Sequence, residues 1–261
     1  MNAVQQSAQT NSKPTIVLVH GAFADGSSWN AVIERLQQQG YTVVAPALPL
    51  RGPSMDTAYI ASVLNQISGP VLAVGHSYAG AVIGAAATRV KNVVGLVFVC
   101  AFAPDEGVPL SDIASTSKDS ILGTALVPNQ YPTGHGTDTA VEFAVNPARF
   151  HDIFAADLPA EQAAMMAATQ RPVAATAFSE PFGAPAWKTL PSWSVVAIGD
   201  KAAGTDITRA MAQRIGANIT EVAGSHVIMI SQPQAVTNVI LQAAQSIAEP
   251  MGEPARTNGP S

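Results

Sequence analysis

The sequence predicts a doubly wound α/β fold, built on a mostly parallel six-stranded sheet with a helical cap inserted into it. Three observations carry this. Strand-like runs such as "TIVLVH" (15–20) and "NVVGLVFVCA" (92–101) are apolar throughout and do not alternate, as in a parallel sheet covered on both faces. Such runs take turns with stretches of helical periodicity. The rhythm stops after Phe102 and resumes with "WSVVAIGD" (193–200).

The first strand, 15–20, leads into the small-residue segment "GAFADGSS". A helix follows, with Trp29, Val32, Ile33 and Leu36 at helical spacing, Ser27 or Ser28 as cap and Gly40 as stop. "YTVVAPAL" (41–48) reads as the second strand and 54–67 as the second helix, punctuated by Gly69-Pro70. "VLAVG" (71–75) is the third strand, 77–90 a helix of small residues and 92–101 the fourth strand. Strands at 193–200 and 218–223 and helices at 206–216 and 232–248 complete the core. Residues 103–187 hold loops, prolines and helix-like pieces such as "PAEQAAMMAATQ" (159–170), and no strand is expected there. The expected division is a flexible start (1–13), a core (14–102 and 188–248), a cap (103–187) and a disordered Pro/Gly-rich tail (249–261).

Of the 261 residues 48% are hydrophobic and 12% charged, which suits one large core. The net charge of -5, with no Lys/Arg cluster, argues against nucleic acid or an anionic membrane as partner. No apolar run reaches the ~20 residues of a membrane span. The polar start lacks the apolar region of a secretory signal, so a cytoplasmic protein is expected. Cys100 is the one cysteine, which rules out an intrachain disulfide. It closes an apolar run and reads as a buried strand-end thiol.

The chemistry centres on "VGHSYAG" (74–80). Gly75-His76-Ser77-Tyr78-Ala79 falls between a strand and a helix, the setting of a G-x-S-x-G nucleophile elbow. Its fifth place is Ala79, with Gly80 one later. A serine hydroxyl is a weak nucleophile and needs a histidine base, itself held by an acid. Of the five histidines, His76 points away from the serine, His20 braces a neighbouring loop, and His135 and His151 lie in the cap. His226 falls between the last strand and the last helix, where it reaches the sheet's C-terminal edge. Asp200 ends the preceding strand, with Asp206 as its substitute. The expected catalytic set is Ser77, Asp200 and His226. The oxyanion donors are the N–H groups of Tyr78 and of Ala22, the latter in the "HGAF" loop, where Gly21 permits close approach.

With these segments in view, the sequence resembles the α/β-hydrolase superfamily over about residues 14–248. "LVHGAFADGSSW", "VGHSYAG", "VVAIGD" and "GSHVIMI" look like its oxyanion loop, elbow, acid turn and histidine loop. It is similar to the small plant methylesterase and hydroxynitrile lyase branch and to bacterial esterases of that size. The resemblance implies a central parallel sheet with the cap inserted after the strand that follows the elbow. In the lyases a threonine typically follows the first-strand histidine and a lysine follows the catalytic one. Here Gly21 and Val227 stand there, which favours an esterase.

The expected activity is carboxylesterase-type serine hydrolysis of small to medium, largely uncharged esters. The expected partner is a small-molecule ester, with no cofactor and no metal, and the chain is a monomer or homodimer. The alternatives are a lyase or other non-hydrolytic triad enzyme, or a non-catalytic ligand-binding member of the fold. Phe23, Phe102, Tyr131, Phe154, Met165, Met166 and Trp187, with Tyr78 and Phe150, are the candidate pocket lining. Arg51, Arg149, Arg171 and Lys188 are expected in solvent rather than in the pocket.

Overall fold

The computed structural model describes residues 13–248. The expected flexible start, Lys13 apart, and the expected disordered tail lie outside these residues. The strands are β1 (Thr15–Val19), β2 (Val43–Val44), β3 (Val71–His76), β4 (Val93–Val99), β5 (Leu126–Pro132), β6 (Thr139–Val145), β7 (Val173–Ala174), β8 (Ser192–Ile198) and β9 (Asn218–Ala223). Six of them form the central sheet in the order β2-β1-β3-β4-β8-β9, parallel at every pairing.

Every residue of β3 is buried, because helices cover both faces. The two faces can be read from β4, whose alternate side chains point opposite ways. A Cβ at Gly95 would meet Ile247, on helix Pro233–Ala248. Phe98, of opposite parity, lies against Gly80 of helix Tyr78–Ala87. Helix Asn30–Gln38 packs with the first of these helices and Pro53–Asn65 with the second. The continuous apolar strands are therefore the direct consequence of a sheet sandwiched between two helical layers.

Three expectations need correction. The second strand is only Val43–Val44, not 41–48. It lies at the sheet edge, and Pro46 and Pro49 beyond it have no N–H to donate. The first helix is not capped by Ser27 or Ser28: the Asp25 carboxylate accepts from Ser27 N and caps a 3-10 turn, Gly26–Trp29, that precedes the helix. The inserted segment, expected to hold no strand, contains an antiparallel sheet in the order β5-β6-β7. β5 and β6 pair from Leu126↔Val145 to Pro132↔Thr139. Pro128 and Pro132 disguise β5 in the sequence, and they are tolerated because β5 is an edge strand.

The hairpin is tied to the core by Arg51. Its guanidinium pairs with Glu142 at 3.0 Å and lies 4.4 Å over the Tyr131 ring. Ala174 N donates to Leu50 O at 2.9 Å beside it. The segment's helices, Pro147–Phe154 and Ala160–Thr169, pack on each other.

In a helix interior alanine is ordinarily better than glycine by about 1 kcal/mol. At Gly80 the sign reverses, because a Cβ would stand 2.5 Å from Phe102 O. Gly80→Ala is expected to lower the unfolding free energy by about 1–3 kcal/mol in urea denaturation. A stabilised variant would show that the contact between this helix and the Phe102 backbone yields freely.

Candidate active site

Ser77 lies between β3 and the helix that follows, with φ 53° and ψ −122°. Few non-glycine residues adopt this region, and its strain must be held by neighbours. Ser77 N donates to Val99 O at 3.1 Å, and Ser77 O accepts from Gly80 N at 3.0 Å and Phe102 N at 3.1 Å. The turn leaves no room for side chains around it. A Cβ at Gly75 would come 2.7 Å from Ala79 O, and one at Gly21 would come 2.8 Å from Ser77 Cβ. Ala79 keeps its methyl, fully buried, and the position that admits none is Gly80.

His226 and Asp200 meet below the same strand ends. His226 Nδ1 lies 2.8 Å from Asp200 Oδ2, and both side chains are buried. Asp200 Oδ1 accepts from the N–H groups of Ala202 (2.9 Å) and Ala203 (3.0 Å), which fixes the carboxylate. An imidazole whose Nδ1 carries a proton to a carboxylate offers a bare Nε2 as base. Asp206 takes no part: it accepts from Ser117 Oγ and Lys118 N on another side.

A cavity of about 440 Å³ opens between the sheet edge and the inserted segment, and Ser77, His226, Ala22 and Tyr78 all line it. Tyr78 N is the first of its helix's unpartnered donors. Such an arrangement suits attack by a hydroxyl on a carbonyl whose oxygen becomes negative. His76 sits behind the elbow with its Nε2 2.9 Å from His226 O. His20 braces the adjoining loop: Nε2 accepts from Leu48 N at 2.9 Å, so Nδ1 donates to Gly21 O at 2.9 Å. His135 stands on an exposed turn, and His151 Nε2 meets Leu158 O.

Of the expected lining, Phe23, Phe102, Phe154 and Tyr78 reach the cavity. Phe154 stands edge-on to the His226 ring at 4.9 Å. The remaining five do not. Tyr131 lies under Arg51, on the hairpin. Met165 and Met166 line a second cavity, about 360 Å³, that shares Phe23 with the first. Trp187 donates from Nε1 to Pro104 O and is flanked by Lys188 and Arg214. Phe150 is core, packed on Phe154. The apolar wall instead includes Ile121, Leu122, Leu126, Phe143 and Phe178. These residues were missed because Leu126 and Phe143 belong to the unforeseen hairpin and the rest to loops and short turns around it.

The wall also carries hydroxyls, foreshadowed by the run "SDIASTSKDS" (111–120). Their protons are committed within the protein: Ser115 donates to Asp112 O (2.8 Å), Ser117 to Asp206 Oδ1 (2.6 Å) and Ser120 to Ala202 O (2.5 Å). No Lys, Arg, Asp or Glu lines the cavity among the described residues. Arg51, Arg149 and Lys188 are paired with acids elsewhere.

Cys100 is buried directly after β4, and its Sγ lies within 4.8 Å of ligand atoms of Asp200 and His226. Burial, reinforced by the Asp200 charge, pushes its pKa well up, so it stands there as a neutral thiol. No helix among the described residues is long and apolar enough to cross a membrane.

The model of the alpha/beta hydrolase family matches residues 16–239. The chain belongs to that family. A pyrethroid hydrolase of Sphingobium wenxiniae is 25% identical over 253 residues, covering 90% of this chain and 89% of the relative. Among solved structures, an extracellular alpha/beta-hydrolase from a Paenibacillus species, described as sharing structural and functional homology with tobacco salicylic acid binding protein 2, superposes with a TM-score of 0.71. It is 21% identical and the match covers 88% of this chain and 98% of that one. Tomato methylketone synthase I superposes with a TM-score of 0.74 at 20% identity, covering 90% and 99%. The likeness to these two is one of fold.

His20 and His76 are fully buried, and burial holds both below the ordinary histidine pKa, His76 far below. The folded state therefore binds fewer protons than the unfolded chain below about pH 6.5. Their contribution is fully present above that pH and is lost as pH falls. Urea unfolding between pH 8 and 5 is expected to show constant stability down to about pH 6.5. Below it stability should fall by up to about 1.4 kcal/mol per pH unit for each histidine. A flat profile would mean that both rings are accessible to protons in the folded state.

Proposed function

We propose that the chain is a serine hydrolase that cleaves small to medium, uncharged carboxylic esters through an acyl-enzyme. The observation that carries this is that Ser77 and the Asp200-held His226 line one cavity. Ser77 Oγ attacks the ester carbonyl carbon while its proton passes to His226 Nε2. Asp200 keeps the Nδ1 proton in place and stabilises the imidazolium. The carbonyl oxygen, now negative, is received by the N–H groups of Ala22 and Tyr78. The tetrahedral adduct collapses, and the alcohol leaves with the proton from His226. Water, deprotonated by the same nitrogen, then releases the carboxylic acid and restores Ser77.

The cavity supports the substrate class. Its volume of about 440 Å³ lies in the range of small-molecule sites, and its apolar wall carries no fixed charge among the described residues. The likeness to a pyrethroid hydrolase makes pyrethroid esters apt substrates for the upper end of the size range. Two positions favour hydrolysis over the lyase chemistry of the same branch. A side chain at Gly21 would collide with Ser77, and Val227, next to the base, is buried and uncharged.

The test is hydrolysis of p-nitrophenyl esters of increasing acyl length, and of a pyrethroid, by wild type, Ser77→Ala and Asp200→Asn. Ser77→Ala is expected to lose at least about 10³-fold in kcat/KM and Asp200→Asn about 10²–10⁴-fold. Equal rates in wild type and Ser77→Ala would overturn the reading. Release of aldehyde from a cyanohydrin, with no ester cleavage, would replace it by a lyase.

A further inference from the structure

His76 is the residue of the elbow that the proposed chemistry does not use. It is wholly buried. On one side its ring lies 4.6 Å from the His226 ring, and on the other it meets Trp29 edge-on at 6.4 Å. Its Nε2 is 2.9 Å from the backbone carbonyl of His226, 150 positions along the chain. A carbonyl only accepts, so Nε2 carries the hydrogen and Nδ1 is bare. Nδ1 has no protein partner. An apolar ring of the same size would fill this space without leaving a buried nitrogen unpaired. What an N–H ring adds is the bond to His226.

That bond joins the two halves of the proposed machinery. His76 precedes Ser77 by one residue, in a turn with no slack. The loop that carries His226 has little secondary structure to hold it: it begins at Gly224, with φ 157°, after β9 ends at Ala223. Its fixed points include the Gly224 N–H on Ile198 O, the Asp200 bond to the ring, the Ser225 hydroxyl on Asp157 of the inserted segment, and, as the last, the His76 bond to the carbonyl. Only the last starts from the elbow itself.

We propose that His76 is a positioning residue that fixes the His226 loop to the elbow, and so sets the distance between the Ser77 hydroxyl and the His226 imidazole. The proposal rests on the reading of Ser77 and His226 as nucleophile and base.

The test uses the full chain and two amide substitutions. In His76→Gln the side-chain nitrogen reaches the place of Nε2 and can donate to His226 O. In His76→Asn the nitrogen stands near the place of Nδ1 and falls short. On a p-nitrophenyl ester, His76→Asn is expected to lose about 10–100-fold in kcat with KM within about twofold, since a small misplacement of reacting groups costs rate. His76→Gln is expected to recover to within about threefold of wild type. The downfield proton signal of the His226 Nδ1–H···Asp200 bond should shift or broaden in His76→Asn and persist in His76→Gln. Equal kcat for the two variants, or a loss confined to thermal stability, would overturn the proposal and leave the serine mechanism standing. Ester hydrolysis that survives Ser77→Ala would instead overturn both. Should His76→Asn not fold, the wild-type ring still decides: its ¹⁵N spectrum must show hydrogen on Nε2, and hydrogen on Nδ1 would sink the idea.

Discussion

At Ser77 the chain leaves a strand and enters a helix within one residue, at φ 53° and ψ −122°. Such a conformation persists only where the surroundings over-determine it. Here the surroundings are backbone. Val99 O, Gly80 N and Phe102 N all bond to the serine's main chain, and three glycines let neighbouring segments close to distances that a methyl would block. The first loop, β4 and the start of the helix are thus held to one another by the turn. The serine hydroxyl and the N–H of Tyr78 take their positions from it, and so does the wall of the cavity.

The Asp200–His226 pair is built on a different plan. Asp200 and His226 come from consecutive strand ends, and the side chain of each is held by hydrogen bonds. Two amides grip one carboxylate oxygen, leaving the other for the imidazole. A buried carboxylate held this way keeps a fixed lone-pair direction, which selects the tautomer of the ring it faces. A similar logic runs under Tyr78. Its hydroxyl donates at 2.7 Å to Asp56, which also accepts from the N–H groups of Arg51 and Gly52. Burial holds the Asp56 pKa up even so. The inserted hairpin reaches the same Arg51 through Glu142, so the roof of the cavity and the residue beside Ser77 share one support.

How much of this was legible in the sequence depended on whether local pattern or distant contact decided each feature. The central sheet was legible because its inner strands are covered on both faces, which leaves β1, β3 and β4 no option but to be almost wholly apolar. Ser77, Asp200 and His226 were legible because each lies at a strand end, where position along the chain implies position in space. The hairpin was hidden, since Pro128 and Pro132 argue against a strand until β5 is known to be an edge. Its concealment accounts for Tyr131 being expected in the cavity wall and Phe143 being missed from it. Met165 and Met166 sit on a correctly foreseen helix, but which cavity that helix lines is set by tertiary packing. The bond from His76 to His226 O links residues whose separation no local pattern records.

The cavity wall has a consequence for turnover under the ester reading. An ester enters neutral, and a wall of apolar groups with hydroxyls already engaged costs it little hydration. The acid that remains after cleavage ionises near neutral pH, and it then faces a surface with no lysine or arginine among the described residues. A carboxylate in such surroundings lacks a counter-ion from a fixed cationic side chain. The same wall that admits the ester therefore disfavours its acid, and ionisation of the product gives the site a built-in bias toward emptying.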